Sequence, residues 1–136
     1  MKRKTVIWAV VAVAVMAFIF WQSTRNAHLS DGESVAVLAV LKQLFSWLGW
    51  GGLTDQGVRK CAHIFEYAVQ AFVLVRLFSS WRLDRKTYVG HVLWLGLLTA
   101  VIDENIQLFS PGRGGMVQDV LLDFLGTIIG LLIPFF

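Results

Sequence analysis

Four long apolar runs constrain this chain more than any other feature. Residues 5–22, 58–78, 88–109 and 116–136 carry few charges, and those few gather toward the ends of the runs. A bilayer core about 30 Å thick asks for about 20 apolar residues per helix. Inside it, backbone polar groups must be satisfied within the segment, which selects helices. The chain is therefore read as all-α: a four-transmembrane-helix bundle in a single domain over residues 1–136. Composition agrees, since only 15% of the 136 residues are charged, against about a quarter in soluble domains. The net charge of +3 is read by location, because basic residues near helix ends set orientation, and it implies no nucleic-acid partner. Cys61 is the single cysteine, so there is neither an intrachain disulfide nor a zinc-type cysteine pair. It is expected to be a small packing residue.

The first run follows Met1-Lys2-Arg3-Lys4 and ends at Trp21-Gln22-Ser23, without a small-x-small cleavage pattern. It is expected to be an uncleaved span rather than a signal peptide. Between the first and second spans, Ser30-Asp31-Gly32-Glu33 fits a capping box. The segment after it, about 31–49, carries Val37, Leu38, Leu41, Leu44, Phe45 and Leu48 at helical spacing. This predicts an additional amphipathic interfacial helix. In the last run, Gly126 and Gly130 form a small-xxx-small pair that lets another helix come close.

Placing Lys2, Arg3 and Lys4 in the cytoplasm, as the positive-inside rule prefers, makes both termini cytoplasmic. It also puts Arg76, Arg82, Arg85 and Lys86 inside. Of the 9 acidic residues only Asp84 then lies on the inner side. Glu66, Asp103, Glu104, Asp119 and Asp123 reach the outer leaflet from three helices. Each ionisable group at membrane depth costs on the order of 2.5–3.5 kcal/mol, so such groups must face each other, a cation or a water-filled pocket.

In the second span Arg59, His63, Glu66 and Gln70 recur at spacings of four, three and four and share one face, with Lys60 and Tyr67 beside them. Asp103 and Gln107 are four apart in the third span, with Glu104 adjacent; Asp119 and Asp123 are four apart in the fourth. The loop Ser110-Pro111-Gly112-Arg113-Gly114-Gly115 joins these two spans and would place Arg113 above the carboxylates. Three readings stay open at this point. The carboxylates and His63 suit a divalent cation that polarises a phosphate. His63 with Glu66 or Asp103 suits acid–base chemistry without metal. Or the acids neutralise Arg59, Lys60 and Arg113 in a structural ion network. No HExxH, GxSxG or P-loop pattern is present, and nothing in the spacing selects a metal. His91, at the inner end of the third span, reads as a packed or interfacial residue, and Trp8, Trp81 and Trp94 as interface aromatics. Gln22 and Ser23 close the first span where they could border the pocket.

At these residues the chain resembles the VanZ-like family of bacterial membrane proteins. The matching stretches are Phe20-Trp21-Gln22-Ser23, Arg59 through Tyr67, Asp103 through Phe109, Ser110-Pro111-Gly112-Arg113-Gly114, and Asp119 through Asp123 to Gly126. Their order and spacing cover nearly the whole chain outside the amphipathic insertion. The resemblance implies recurring positions at Lys60, His63, Glu66, Tyr67, Asp103, Glu104, Gln107, Arg113, Asp119 and Asp123. Two departures are Asn105-Ile106, where a histidine often precedes the glutamine, and Gly114-Gly115, where a serine is usual nearby. The family is named for a member linked to low-level teicoplanin resistance. It implies a cell-envelope role in the bacterial cytoplasmic membrane and supplies no reaction.

The function expected is binding, with modification left open, of a polar lipid headgroup or cell-wall precursor at the outer leaflet. Acid–base work would fall to His63, Glu66, Asp103 and Glu104. Ligand contacts would come from Arg59, Lys60, Tyr67, Gln107, Arg113, Asp119 and Asp123. The partners expected are the lipid bilayer and an envelope lipid or precursor; a divalent cation and the oligomeric state are left open. The alternatives are a non-catalytic adaptor with a structural ion network and a small proton-coupled transporter.

Overall fold

A computed structural model describes residues 3–24, 39–40, 43, 54–110 and 115–133. Most of the interfacial helix expected over 31–49, the Arg113 loop and the final residues of the fourth run lie outside the described residues. The described residues form four helices and no strand: α1 (Arg3–Ser23), α2 (Asp55–Ser80), α3 (Arg85–Leu108) and α4 (Val117–Leu132).

Capping oxygens, not the onset of apolar residues, set where α2 and α3 begin. Thr54 accepts from Gly57 N at 3.1 Å, so α2 starts before the expected residue 58. Asp84 accepts from Thr87 N at 3.1 Å, and α3 starts at Arg85 rather than 88. Each cap satisfies a backbone donor that the first helical turn leaves open. Between the two helices the chain reverses through Arg82 in the left-handed region (φ 57°).

Arg3–Ser23, Arg59–Ser80 and Arg85–Leu108 are long and apolar enough to cross a membrane. α4 has 16 residues over its described length, about 24 Å at 1.5 Å per residue, and the final residues of the fourth span expected over 116–136 lie outside the described residues. The outer surface is apolar, as at Val13 (68% exposed), Phe65 (69%) and Leu121 (62%). Side chains of this kind facing outward around a whole bundle suit a lipid environment.

α2 is central and packs on α1, α3 and α4, most extensively on α4. The register of α2 and α4 is parallel. Lys60 faces Asp119, His63 faces Asp123, and Gly126 and Gly130 lie against the α2 backbone at Ile64 and Ala68. A side-chain carbon at either glycine would collide with the Ile64 or Ala68 carbonyl oxygen, so the two helices touch backbone to backbone where the small-residue stripe predicts. α3 is antiparallel to α2, since His63 neighbours Asp103 while Gln70 meets Thr99. α1 is also antiparallel to α2: Thr5 is beside Ser80 and Trp8 packs edge-on against Phe72. The alternating directions bring the C-terminal ends of α1 and α3 and the first turns of α2 and α4 to one end of the bundle.

At the opposite end lies the main apolar core, built from Ala71, Leu74, Val75, Leu77, Phe78, Val92 and Leu131. A smaller cluster of Ile19, Tyr67 and Ala100 supports the polar end. Cys61, expected to pack inside, is exposed. It borders a surface groove with Ile64, Phe65 and Phe72. In a lipid-facing helix an apolar side chain is equally at home outside.

Candidate functional site

Three helices meet at a buried histidine–aspartate–aspartate group. His63 Nδ1 on α2 lies 3.3 Å from Asp123 Oδ1 on α4 and 3.9 Å from Asp103 Oδ2 on α3. Asp103 is 0% exposed and Asp123 1% exposed, while the His63 ring keeps 26% of its surface open. One ligand-type atom from each of the three residues lies within 4.8 Å of the other two.

Around this group the polar contacts are uneven. Asp103 is held on both oxygens: the Ser23 hydroxyl of α1 donates to Oδ1, and Gln107 Nε2 donates to Oδ2 at 3.1 Å. Ser110 fixes α1 in turn, donating to the Ser23 carbonyl at 2.7 Å. Asp123 Oδ2 and the Tyr67 hydroxyl are buried without a hydrogen-bond partner. Tyr67, one helical turn below His63, is fully buried and stands within electrostatic reach of Asp103 and Asp123.

Glu104 plays a different part from its neighbour. Its Oε2 accepts from Met116 N at 2.8 Å, tying the end of α3 to the start of α4, while Oε1 has no hydrogen-bond partner. Lys60 Nζ is 3.8 Å from Asp119 Oδ1, with side chains 50% and 30% exposed. This pair forms a more open rim beside the buried group. Glu66 is half-buried and heads a groove of about 400 Å³ between α1 and α2, otherwise lined by Val10, Val11, Ala14, Val15, Phe18, Phe65 and Val69. Arg59 is half-buried in the first part of α2. Arg113 lies outside the described residues.

Thus the structure gathers His63, Asp103 and Asp123 closely, with Gln107 as a support and Tyr67 beneath. It places Lys60 and Asp119 on the rim, and Glu66 beside the groove between α1 and α2 and within electrostatic reach of His63 and Tyr67. His91 is remote from all of these; its ring contacts Phe78 at 5.5 Å and its Nδ1 lies 2.6 Å from the Thr87 carbonyl oxygen.

Ser23 and the Gln70–Thr99 pair are more engaged than sequence reasoning could specify. Gln70 Nε2 donates to Thr99 Oγ1 at 2.9 Å, below the charged group. The available signal was spacing: Gln70 is seven residues from His63 and Thr99 four from Asp103, so each continues a charged face by one or two turns.

A family model described as VanZ/LLP1 matches residues 8–136. The chain belongs to the VanZ/LLP1 family. That match runs through all four helices, so every residue of the buried group in this VanZ/LLP1 protein lies inside it. No curated protein and no solved structure matches the chain. For a VanZ/LLP1 chain the membership fits a membrane protein with helical spans.

Proposed function

We propose that this protein binds the phosphate- or carboxylate-bearing headgroup of an envelope lipid or cell-wall precursor at the outer leaflet of the bacterial cytoplasmic membrane. The observation that carries the reading is the meeting of His63, Asp103 and Asp123 from three helices. Burial of two carboxylates and an imidazole at one end of an otherwise apolar bundle is costly. An intramembrane ionisable cluster of this kind points to a functional site. In this reading α4 and the residues after it form a fourth span, both termini are cytoplasmic, and residues 31–49 form an interfacial helix beside the site. Lys60, with Arg59 and Arg113, attracts the anionic headgroup. His63 and Glu66 move protons if the bound group is modified.

The groove headed by Glu66 supports an occupant with an apolar tail, because its remaining lining is wholly apolar. Beneath Gln70 and Thr99 the interior closes into the core of Leu74, Val75, Leu77, Phe78 and Val92. That core supports binding at one leaflet over transport across the bundle. A second reading, a structural ion network in an adaptor protein, is favoured by the two hydrogen bonds that already hold Asp103.

The test is to purify the wild-type chain and the His63→Ala, Glu66→Ala and Asp123→Ala variants at matched membrane levels. Co-purified lipid would be identified by native mass spectrometry, and teicoplanin susceptibility of the expressing cells compared. The proposal expects an anionic lipid or precursor on the wild type, weaker retention in the variants and a shift in susceptibility. Folded variants with undiminished lipid retention and full cellular effect would leave the adaptor reading in its place.

A further inference from the structure

We infer that His63, Asp103 and Asp123 form a divalent metal site, with three protein ligands and at least one coordination position open toward the outer water boundary. The inference deepens the headgroup reading and rests on it for the identity of the open-position ligand, a phosphate or carboxylate oxygen. Cation binding itself stands without that reading.

The donor set is one imidazole nitrogen and two carboxylate oxygens. Ligand atoms on a tetrahedral zinc ion bonded at about 2.0–2.1 Å stand about 3.3 Å apart. The His63–Asp123 separation is already 3.3 Å. The His63–Asp103 separation of 3.9 Å and the 4.8 Å limit on the whole set need only a modest inward movement of side chains. An imidazole suits zinc, and carboxylates suit manganese as well, so both ions are natural probes.

Two further features favour a cation-binding role over a finished ion network. The first is Tyr67, one helical turn from His63: its side chain is fully buried, its hydroxyl has no hydrogen-bond partner, and it stands within electrostatic reach of the two aspartates. A water or anion on a metal at this place would give that hydroxyl a partner. The second is the contrast between the aspartates. Asp103 receives Ser23 and Gln107 on its two oxygens, the kind of outer support that orients a metal-binding carboxylate. Asp123 Oδ2 is buried with no hydrogen-bond partner at all. A divalent ion between the two would neutralise their repulsion and occupy the lone pairs that the protein leaves open.

The full chain, purified in detergent, stripped with a chelator and freed of it, would be titrated with Zn²⁺ by calorimetry and with Mn²⁺ by electron paramagnetic resonance. The expected result is about one ion per chain. His63→Asn, Asp103→Asn and Asp123→Asn should each weaken binding on the order of 100-fold or more. Ser23→Ala and Gln107→Ala, which keep all three donors, should weaken it about 10-fold. His91→Asn and Asp84→Asn, far from the site, should bind like the wild type. Where an aspartate variant fails to fold, the Ser23 and Gln107 variants decide. Absence of Zn²⁺ and Mn²⁺ uptake, or uptake indifferent to His63→Asn and Ser23→Ala, overturns the site. Uptake without anionic-lipid retention overturns the headgroup reading and leaves the metal site. Lipid retention by a chain that takes up neither ion does the reverse.

Discussion

His63 and Asp123 approach to 3.3 Å directly beside the place where Gly126 rests on the α2 backbone at Ile64. The close helix contact therefore holds the charged pair in register. In the metal-free protein, removing His63 leaves Asp123 buried beside Asp103 with less compensation. Loss of one partner from a buried pair is strongly destabilising, and here about 3 kcal/mol is expected, the low end because His63 is partly open. His63→Leu should lower stability by that amount in a denaturant titration from detergent micelles. Adding Asp123→Leu should recover much of it. Two independent, additive losses would show that the residues are not coupled.

Gly130 tests the same interface from its apolar end. An added carbon there meets the Ala68 carbonyl, which is backbone and has little room to yield. Gly130→Ala should destabilise the chain by about 1–3 kcal/mol through overpacking. Gly90, with nothing near an added carbon, provides the contrast. Gly90→Ala should be neutral or slightly stabilising, by up to about 1 kcal/mol. Equal effects at the two positions would mean that α2 and α4 are not in backbone contact.

Gln70 and Thr99 share a hydrogen bond at 2.9 Å across α2 and α3. Interhelical hydrogen bonds in membranes average about 0.6 kcal/mol and reach about 1.7. Thr99→Val should cost an amount in that range, and little further loss should follow when Gln70→Leu is added. A coupling energy near zero in this double-mutant cycle would place the two side chains apart.

Asp84 governs the acid response of the α2–α3 turn. Its carboxyl lies below the usual aspartate range because the Thr87 hydroxyl donates to it, with help from Thr87 N. A carboxylate whose folded value is depressed stabilises the fold fully above its unfolded value. That contribution is lost as the pH falls through the folded value. The start of α3 should therefore fray below the ordinary aspartate range. Asp84→Asn, still a good cap, should remove that pH dependence. Hydrogen exchange at Thr87 and Tyr88 across acidic pH would check it; identical profiles for wild type and variant would count against the cap.

Much of this architecture can be read from residue order. Alternating span directions send Glu66, Asp103 and Asp123 to one end, and the glycine stripe indicates a close partner for α4. What composition cannot supply is rotation about each helix axis. His63, Glu66 and Gln70 share a face, yet His63 meets two aspartates, Glu66 borders the groove against α1 and Gln70 binds Thr99. Cys61 shows the same gap: in oil, an apolar side chain is equally stable facing in or out, so its chemistry carries no compass. Ser23 resembles any polar residue at a span end, and its bond to Asp103 depends on how α1 lies against α3. Helix starts were displaced because Thr54 and Asp84 cap ahead of the apolar residues.

α1 is fastened near both ends, at Thr5 by Ser80 and at Ser23 by Asp103 and Ser110, while most of its circumference stays open. Those fastenings are about 27 Å apart at 1.5 Å per residue, close to the roughly 30 Å hydrocarbon thickness of a bilayer. The helix thus works as a built-in ruler. A membrane much thicker or thinner than this spacing would tilt α1 or strain one clasp, and the clasp at Ser23 is the one that holds Asp103, so a change in lipid chain length would be felt at the charged centre.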